Sequence, residues 1–539
     1  MSDERASAED SASQPPTSGS SSLSPRVCER CNKSKRKCDK TLPQCGRCVR
    51  CVPSLSPSLF HLCHCHFAEN DQHPRLQSTC NYDYSVKSSH SSPNSDNYSA
   101  SAKASPPELP RVKADDDSQA RAILRAFNVN WLQSLVQYFS TVHSWFSVIR
   151  PDTFKVLIER HSDSDDRDWT NSLESEEYAL LIICIHLVTD TTTLGRSEEV
   201  LFGPIYRGAK RAFASLTCLS TPTVELMQCG ALLSLFEFGN GRATFAYRTL
   251  GETVTMAHVA SLQKCKYYPQ RATLLPAEEE STSLWWGMFI LDQYIHMDLA
   301  VRDLPLLLDK PNDDDLLPTY SVLWDGSRYL PFNKMLPVSV DVSEHLGTFQ
   351  RSAQAATLLH TAHLWNSALR SATKLPSVAE FAHIDRNIRS ALDAMLSQCD
   401  GWEVFCDGFA MLMSSFFILY RPYLHYSRAN PQDPLGSPTD DDMTQSFAAA
   451  RFAVRFIHDL AINFNNHLDK HQEWLANLAP PATISCFLAA DHIALFDNVH
   501  EDSKAGFLEI QKSLETFSKR WRIGENMLLA MKRLDYMSE

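Results

Sequence analysis

Residues 221–260 read TPTVELMQCGALLSLFEFGNGRATFAYRTLGETVTMAHVA. Apolar side chains at Val224, Met227, Leu232, Leu235 and Phe236 recur at helical spacing. The pattern predicts a helix opening at Thr221-Pro222, because proline is tolerated at the first helical position. Gly239-Asn-Gly241 should stop it. A second helix is expected over about 243–260, carried by Ala246, Leu250, Met256 and Ala257. Helix, glycine stop and helix, with no alternating strand between them, set a mostly all-α expectation for the body of the chain.

The same periodicity extends outward. Leu124, Phe127, Trp131, Leu135, Phe139 and Val142 repeat at three and four, one face of a helix, and Pro151 should end the run through Arg150. Downstream, Leu284-Trp-Trp286, Phe289, Leu291-Asp292 and Tyr294 mark another helix, with further candidates near 350–372, 387–397, 408–420, 444–465 and 505–535. No fixed-period repeat and no sustained heptad run is present. The longest apolar runs are about ten residues, short of the ~20 that a spanning helix needs, so no membrane partner is expected.

With 539 residues, the chain should hold more than one structural unit. Residues 1–25 and 87–118 are dominated by Ser, Pro, Asn and Asp and are expected to be disordered. No secretory signal opens the sequence. Formal net charge is −13, which taken alone argues against nucleic acid. Its distribution argues the reverse. Residues 26–50 hold nine Lys or Arg against Glu29 and Asp39, a local +7 that leaves −20 for the remainder. A basic head on an acidic body is the charge split expected of a DNA-binding module and a regulatory region.

That head is rich in cysteine. Cys28-Glu-Arg-Cys31 is followed by Cys38, then by Cys45-Gly-Arg-Cys48, with Lys33, Lys35, Arg36, Lys37 and Lys40 between the pairs. Two CxxC turns can each bring two thiolates to one zinc ion, at about 2.3 Å per bond. A reducing compartment favours metal over disulfides for such a cluster. Four of these cysteines make an ordinary zinc site and leave Cys38 over. The other seven cysteines, beyond residue 81, are scattered, several in apolar runs such as Leu181-Ile-Ile-Cys184-Ile, and are expected in the core.

The arrangement C-x2-C-x6-C-x6-C-x2-C, with Lys35-Arg-Lys37-Cys38-Asp39 and Leu42-Pro43-Gln-Cys45, closely resembles the fungal binuclear zinc cluster transcription factors. The resemblance implies six thiolates holding two zinc ions per chain. Cys28 and Cys45 would bridge, Cys31 and Cys38 would complete the first zinc, and Cys48 and a sixth cysteine the second. It also implies a short helix entering the DNA major groove to read a CGG-type triplet. Lys35 matches the base-reading position, and Lys37 and Lys40 match backbone contacts. Asn32 departs from the usual basic residue, which should weaken one phosphate contact.

The family leaves about six residues between its fifth and sixth cysteines, and position 55 is leucine. Cys51, Cys63, Cys65 and Cys80 are the candidates. Cys80 is preferred because Cys80-Asn81-Tyr82 resembles the family's ending. Between Cys48 and Cys80 stand 31 residues, and omitting residues 51–75 would restore six. Two explanations stand: a retained intron read in frame, or a genuine looped-out insertion, whose closure cost grows only slowly with length.

The body resembles the family's regulatory middle region over about 125–320. The wording that carries this is His143-Ser-Trp-Phe-Ser-Val-Ile-Arg-Pro151, Leu232–Gly239, Tyr247–Gly251, Met256-Ala257, Trp285-Trp286, Leu291-Asp292 and Asp313–Pro318. Enzyme signatures are missing: no GxGxxG opening a helix, no P-loop, no GxSxG and no HExxH. Asp313-Asp-Asp315 reads as an acidic loop, and His143, His186 and His296 as core or interface residues.

The expected organisation is therefore a disordered terminus (1–25), a zinc cluster with an anomalous insertion at about 51–75 (26–86), a disordered linker (87–118) and a helical regulatory region (119–539). The expected function is zinc-dependent, sequence-specific transcription regulation in the nucleus, without enzymatic activity. Its partners would be double-stranded DNA and transcription machinery or co-regulators, the latter recruited through acidic patches such as Asp440–Asp442. Family analogy adds a metabolic or biosynthetic gene cluster as target. A homodimer and monomeric binding remain alternatives, as does a DNA-binding-impaired member or a zinc-containing scaffold.

Overall fold

The computed structural model describes residues 119–161, 169–190, 197–262, 264–324, 329–371, 378–398, 406–429, 441–495 and 501–536. Among these residues the regular structure is helical apart from one antiparallel hairpin and two isolated β-bridges, with irregular connections such as 298–320 and 333–347 between helices. The hairpin pairs β1 (Ser321–Trp324) with β2 (Tyr329–Phe332), Ser321 opposite Phe332.

The quoted stretch forms the centre. Helix α7 (Val224–Gly239) is buried from Leu226 to its end. Around it stand α4 (Glu176–Thr189), α6 (Pro204–Leu219), α8 (Ala243–Val259) and α9 (Pro276–His296). Helices α7 and α8 approach so closely that a β-carbon on Gly230 would lie 2.1 Å from Thr253 Oγ1. From α9 the core passes to α10 (Thr348–Ser371), then to α12 (Cys406–Ala429) and α14 (Pro481–Leu495). Helices α11 (Val378–Gln398), α13 (Asp441–Leu468), α15 (Glu501–Arg520) and α16 (Ile523–Tyr536) complete this half. One continuous apolar core runs from Ala120 to Met531.

Local chemistry moves several predicted boundaries. The single helix expected over 124–142 is two, α1 (Gln119–Ala126) and α2 (Trp131–Ser140). Asn128 takes a left-handed φ of 47° between them, and the Asn130 side chain caps α2 by accepting from Gln133 N at 3.0 Å. Helix α7 opens at Val224 and not at Pro222, because Thr223 Oγ1 caps Leu226 N. The stop after Gly239 is as expected, with Gly241 at φ 76°. The stretch 505–535 divides at Trp521-Arg522. There Trp521 is buried and donates from Nε1 to Leu478 O at 2.6 Å. Helix α12 continues past 420 through Pro422 to Ala429, with Phe416, Phe417 and Tyr420 all buried on its inner face. Of the scattered cysteines, Cys184 and Cys229 are core residues, whereas Cys218 is exposed near the end of α6.

Candidate functional site

The proposed zinc ligands Cys28, Cys31, Cys38, Cys45, Cys48 and Cys80 lie outside the described residues. So do Lys33, Lys35, Arg36, Lys37 and Lys40, the insertion 51–75 and the side chains of Asp440–Asp442. Among the described residues no three His, Cys, Asp or Glu side chains are placed to hold a metal ion. No described helix is long and apolar enough to cross a membrane.

The family-like wording of the body converges in space, and it does so as architecture. Arg150, just before Pro151, donates from Nη1 to Glu279 of α9 at 3.0 Å and clasps Asp152. Glu279 also accepts from Thr319 Oγ1 at 3.0 Å. Gln228 of α7 donates to Val148 O at 2.9 Å and to Glu280 at 2.8 Å. Trp286, fully buried, donates from Nε1 to Leu316 O at 2.8 Å. Asp292 Oδ2 accepts the backbone N–H groups of Leu307 and Leu308, at 2.9 and 3.1 Å. The bonds to Val148 O, to Leu316 O and from Leu307 and Leu308 N–H satisfy backbone of irregular connections that would otherwise be buried unpaired; the others join side chains.

His296 stands one turn after Asp292, with acceptors at both ring nitrogens. Nδ1 faces Asp292 O at 2.8 Å and Asp292 Oδ1 at 3.2 Å, and Nε2 faces Pro305 O at 3.1 Å. Only the imidazolium can donate to both sides. Burial opposes that charge, yet the bonds to Asp292 and Pro305 prevail and raise the His296 pKa. His143 is the reverse case. It is buried among Tyr138, Phe139 and Tyr320 with no hydrogen-bond partner, and burial lowers its pKa to about 3. His186 is half-buried near Ser134. All three are structural, as expected. Asp313–Asp315 is a clamp: Lys264 and Lys266 both pair with the buried Asp315, at 2.9 and 2.8 Å, and Lys266 also with Asp314.

Among the spaces in the described body, two differ sharply in character. One is an apolar void of about 100 Å³ among α11 to α15, lined by Met395, Phe409, Phe456, Phe464 and Phe517. The other is a polar cleft of about 360 Å³ between α6 and α8. Its floor is Glu237 of α7, fully buried, whose carboxylate accepts from Tyr206 Oη at 2.6 Å and from Thr249 Oγ1. Lys210 Nζ lies 3.1 Å from the same carboxylate and donates to Thr249 Oγ1 at 2.6 Å. Burial and the Glu237 charge push the Tyr206 phenol well up, so it remains a donor. Arg207 and Arg211 of α6 and Arg248 of α8 line the walls. The sequence reading did not single these residues out. Their signal is Arg207, Lys210 and Arg211 at i, i+3 and i+4, one face of a helix.

Residues 135–331 match the fungal specific transcription factor domain family. This segment is similar to fungal specific transcription factor domains. This match runs from within α2 through β1 and most of β2, and includes the Arg150 clasp, the Asp292 anchor and the polar cleft. The fungal transcription factor domain is a regulatory region and not an enzyme family. No curated protein matches the chain. The match ends at 331, but the core does not. Arg520 donates to Val188 O, Asn526 Nδ2 to Gly241 O at 3.2 Å, and Thr348 Oγ1 to Ser144 O. Physically, the matched segment is completed by helices up to α16.

Proposed function

We propose that the chain is a zinc-dependent, sequence-specific DNA-binding transcription factor that acts in the nucleus. One observation carries this reading: a five-cysteine C-x2-C-x6-C-x6-C-x2-C head and a fungal transcription factor domain occur in the same chain. The donor set suits zinc. All six candidate ligands are thiolates, a soft set with which zinc forms closed structural sites. Cys28, Cys31, Cys38, Cys45, Cys48 and Cys80 would hold two ions. Bound zinc would supply folding free energy to a segment too small to bury a core. Lys33, Lys35, Arg36, Lys37 and Lys40 would then meet the duplex, Lys35 at base edges and the others at phosphates. The helical body, at −14 over residues 119–539 (36 Lys or Arg against 50 Asp or Glu), would be kept off the DNA by its own charge and left to contact co-regulators.

The test is metal analysis of the purified full chain together with binding to duplexes with and without a CGG triplet. Two zinc ions per chain are expected, with preference for the CGG duplex. About four to six phosphate contacts imply a slope near −4 to −5 in log K against log salt. Zinc below one ion per chain together with salt-insensitive or absent DNA binding would refute the proposal.

The 31 residues between Cys48 and Cys80 favour a second reading, in which the full chain is a DNA-binding-impaired member. A variant lacking residues 51–75 separates the two. If the full chain holds one zinc and the deletion holds two and gains CGG binding, the insertion disables the head.

A further inference from the structure

We propose that the cleft between α6 and α8 binds a small organic polyanion, one carrying at least two carboxylate or phosphate groups. Arg207, Lys210, Arg211 and Arg248 converge on one space of about 360 Å³, against two carboxylates, Glu237 and Glu252. Glu237 is already engaged beneath the floor with Lys210, Tyr206 and Thr249.

The three arginines stand apart from others in the described body. Arg150, Arg242, Arg271, Arg421 and Arg522 each have a carboxylate within ion-pair distance. Arg207, Arg211 and Arg248 have none among the described residues. They are exposed at the mouth of a concave site in a protein whose net charge is −13.

The architecture holds these cations together. Helices α6 and α8 both pack on α7, and the buried Glu237 carboxylate draws Lys210 Nζ inward between them. The repulsion among the arginines is left for a ligand to relieve. Guanidinium groups present paired donors that fit carboxylate and phosphate oxygens. Phe245, 41% exposed on the rim, and Tyr206 in the wall add apolar surface, which selects a carbon skeleton over a bare inorganic ion. The volume falls within the usual range for small-molecule sites. A concave site floored by a buried carboxylate does not suit the convex backbone of duplex DNA.

The site stands apart from the DNA-binding reading, and only its use as a metabolite signal to the transcription factor rests on that reading. The experiment is isothermal titration of the full chain at about 150 mM salt, where exposed charges are screened beyond about 8 Å. Citrate probes the polycarboxylate class, fructose 1,6-bisphosphate the phosphate class, and inorganic phosphate the bare ion. Saturable one-to-one binding of citrate or of the bisphosphate, tighter than inorganic phosphate, is expected. The triple variant Arg207→Gln, Arg211→Gln, Arg248→Gln should lose at least tenfold in affinity, a change of one decade in Kd. Its melting temperature without ligand should not fall, because these side chains are exposed and their mutual repulsion is removed. Lys512→Gln, on the exposed face of α15, should bind as the parent does. No saturable binding of either organic anion, binding no tighter than inorganic phosphate, equal binding by the triple variant, or loss of DNA affinity alone in that variant would each overturn the proposal.

Discussion

Asp407, at the start of α12, is a carboxyl group kept inside the protein with a single side-chain donor, Ser352 Oγ. Burial raises its pKa to about 6, and the bonds from Ser352 and the Gly408 backbone only partly offset that. The folded state therefore holds this proton more tightly than the unfolded chain, whose carboxyl titrates near its ordinary value. Below about pH 4 both states are protonated and nothing is lost. As pH rises from about 4 through 6, the folded state must bury a charge, and stability falls by about 3 kcal/mol. Asp407→Asn should remove that loss. Thermal melts should show the variant more stable than the parent at pH 7.5, with the gap closing as pH falls toward 4. A gap independent of pH would show that Asp407 acts through packing alone. No sequence pattern announced this residue, because an acidic side chain at a helix start ordinarily reads as a favourable exposed charge.

Two glycines in neighbouring helices show how far a pattern can be read at the level of the element. Gly239 and Gly251 both belong to the wording that resembles the family. A β-carbon on Gly239 would meet the Trp521 ring at 2.3 Å, whereas one on Gly251 would find only Leu307 Cδ2 at 3.8 Å. Gly239→Ala should therefore cost about 1–3 kcal/mol through overpacking of the α7 contact with Trp521. Gly251→Ala, inside α8 with room to spare, should stabilise by about 0.5–1 kcal/mol by removing backbone freedom from the unfolded chain. Chemical denaturation of the two variants checks both signs.

Helices α2 and α8 were legible through a polar face, and α7, buried almost all round, through the Thr-Pro start and the Gly-Asn-Gly stop that flank it. Helices α4 and α14 carried no periodic signal because they are buried on nearly every face. Helix α6 is amphipathic and was legible in principle, through Tyr206, Ala209 and Phe213. The breaks at Asn128 and Trp521 depended on a cap and on a buried indole, neither of which interrupts the apolar spacing.

Across the whole molecule, the interior holds several histidines in neutral form. Burial lowers His143 and His363 to about 3, and His360 and His492 to about 4. An unfolded histidine binds its proton near pH 6.5, so these four contribute stability that is present above that pH. It is lost as pH falls through 6.5 toward 4 and 3. His296, whose pKa is raised, acts in the opposite direction, as do the carboxyl groups of Asp407, Glu176, Glu280 and Asp298, whose pKa burial raises, but the four histidines are displaced further. Melting temperature should fall steadily from pH 6.5 to 4.5, and His492→Phe, beside Phe417 at 4.6 Å, should flatten part of that slope. An unchanged slope in the variant would remove His492 from the account. Because the core is continuous from α1 to α16, this acid sensitivity should appear as one transition over the helical body.

The sequence by itself determined the helical class of the body, the glycine stop after α7, the role of Asp313–Asp315 as a loop, and the resemblance to a transcription factor. Each rests on local spacing or on residue chemistry that a linear chain displays. The tertiary structure alone decided that the family-like residues are anchors between helices, that the matched segment is completed by α10 to α16, and that Arg207, Lys210, Arg211 and Arg248 share one cleft over Glu237. Those facts depend on which helices pack against α7. Burial, unlike periodicity, is set by partners distant in sequence.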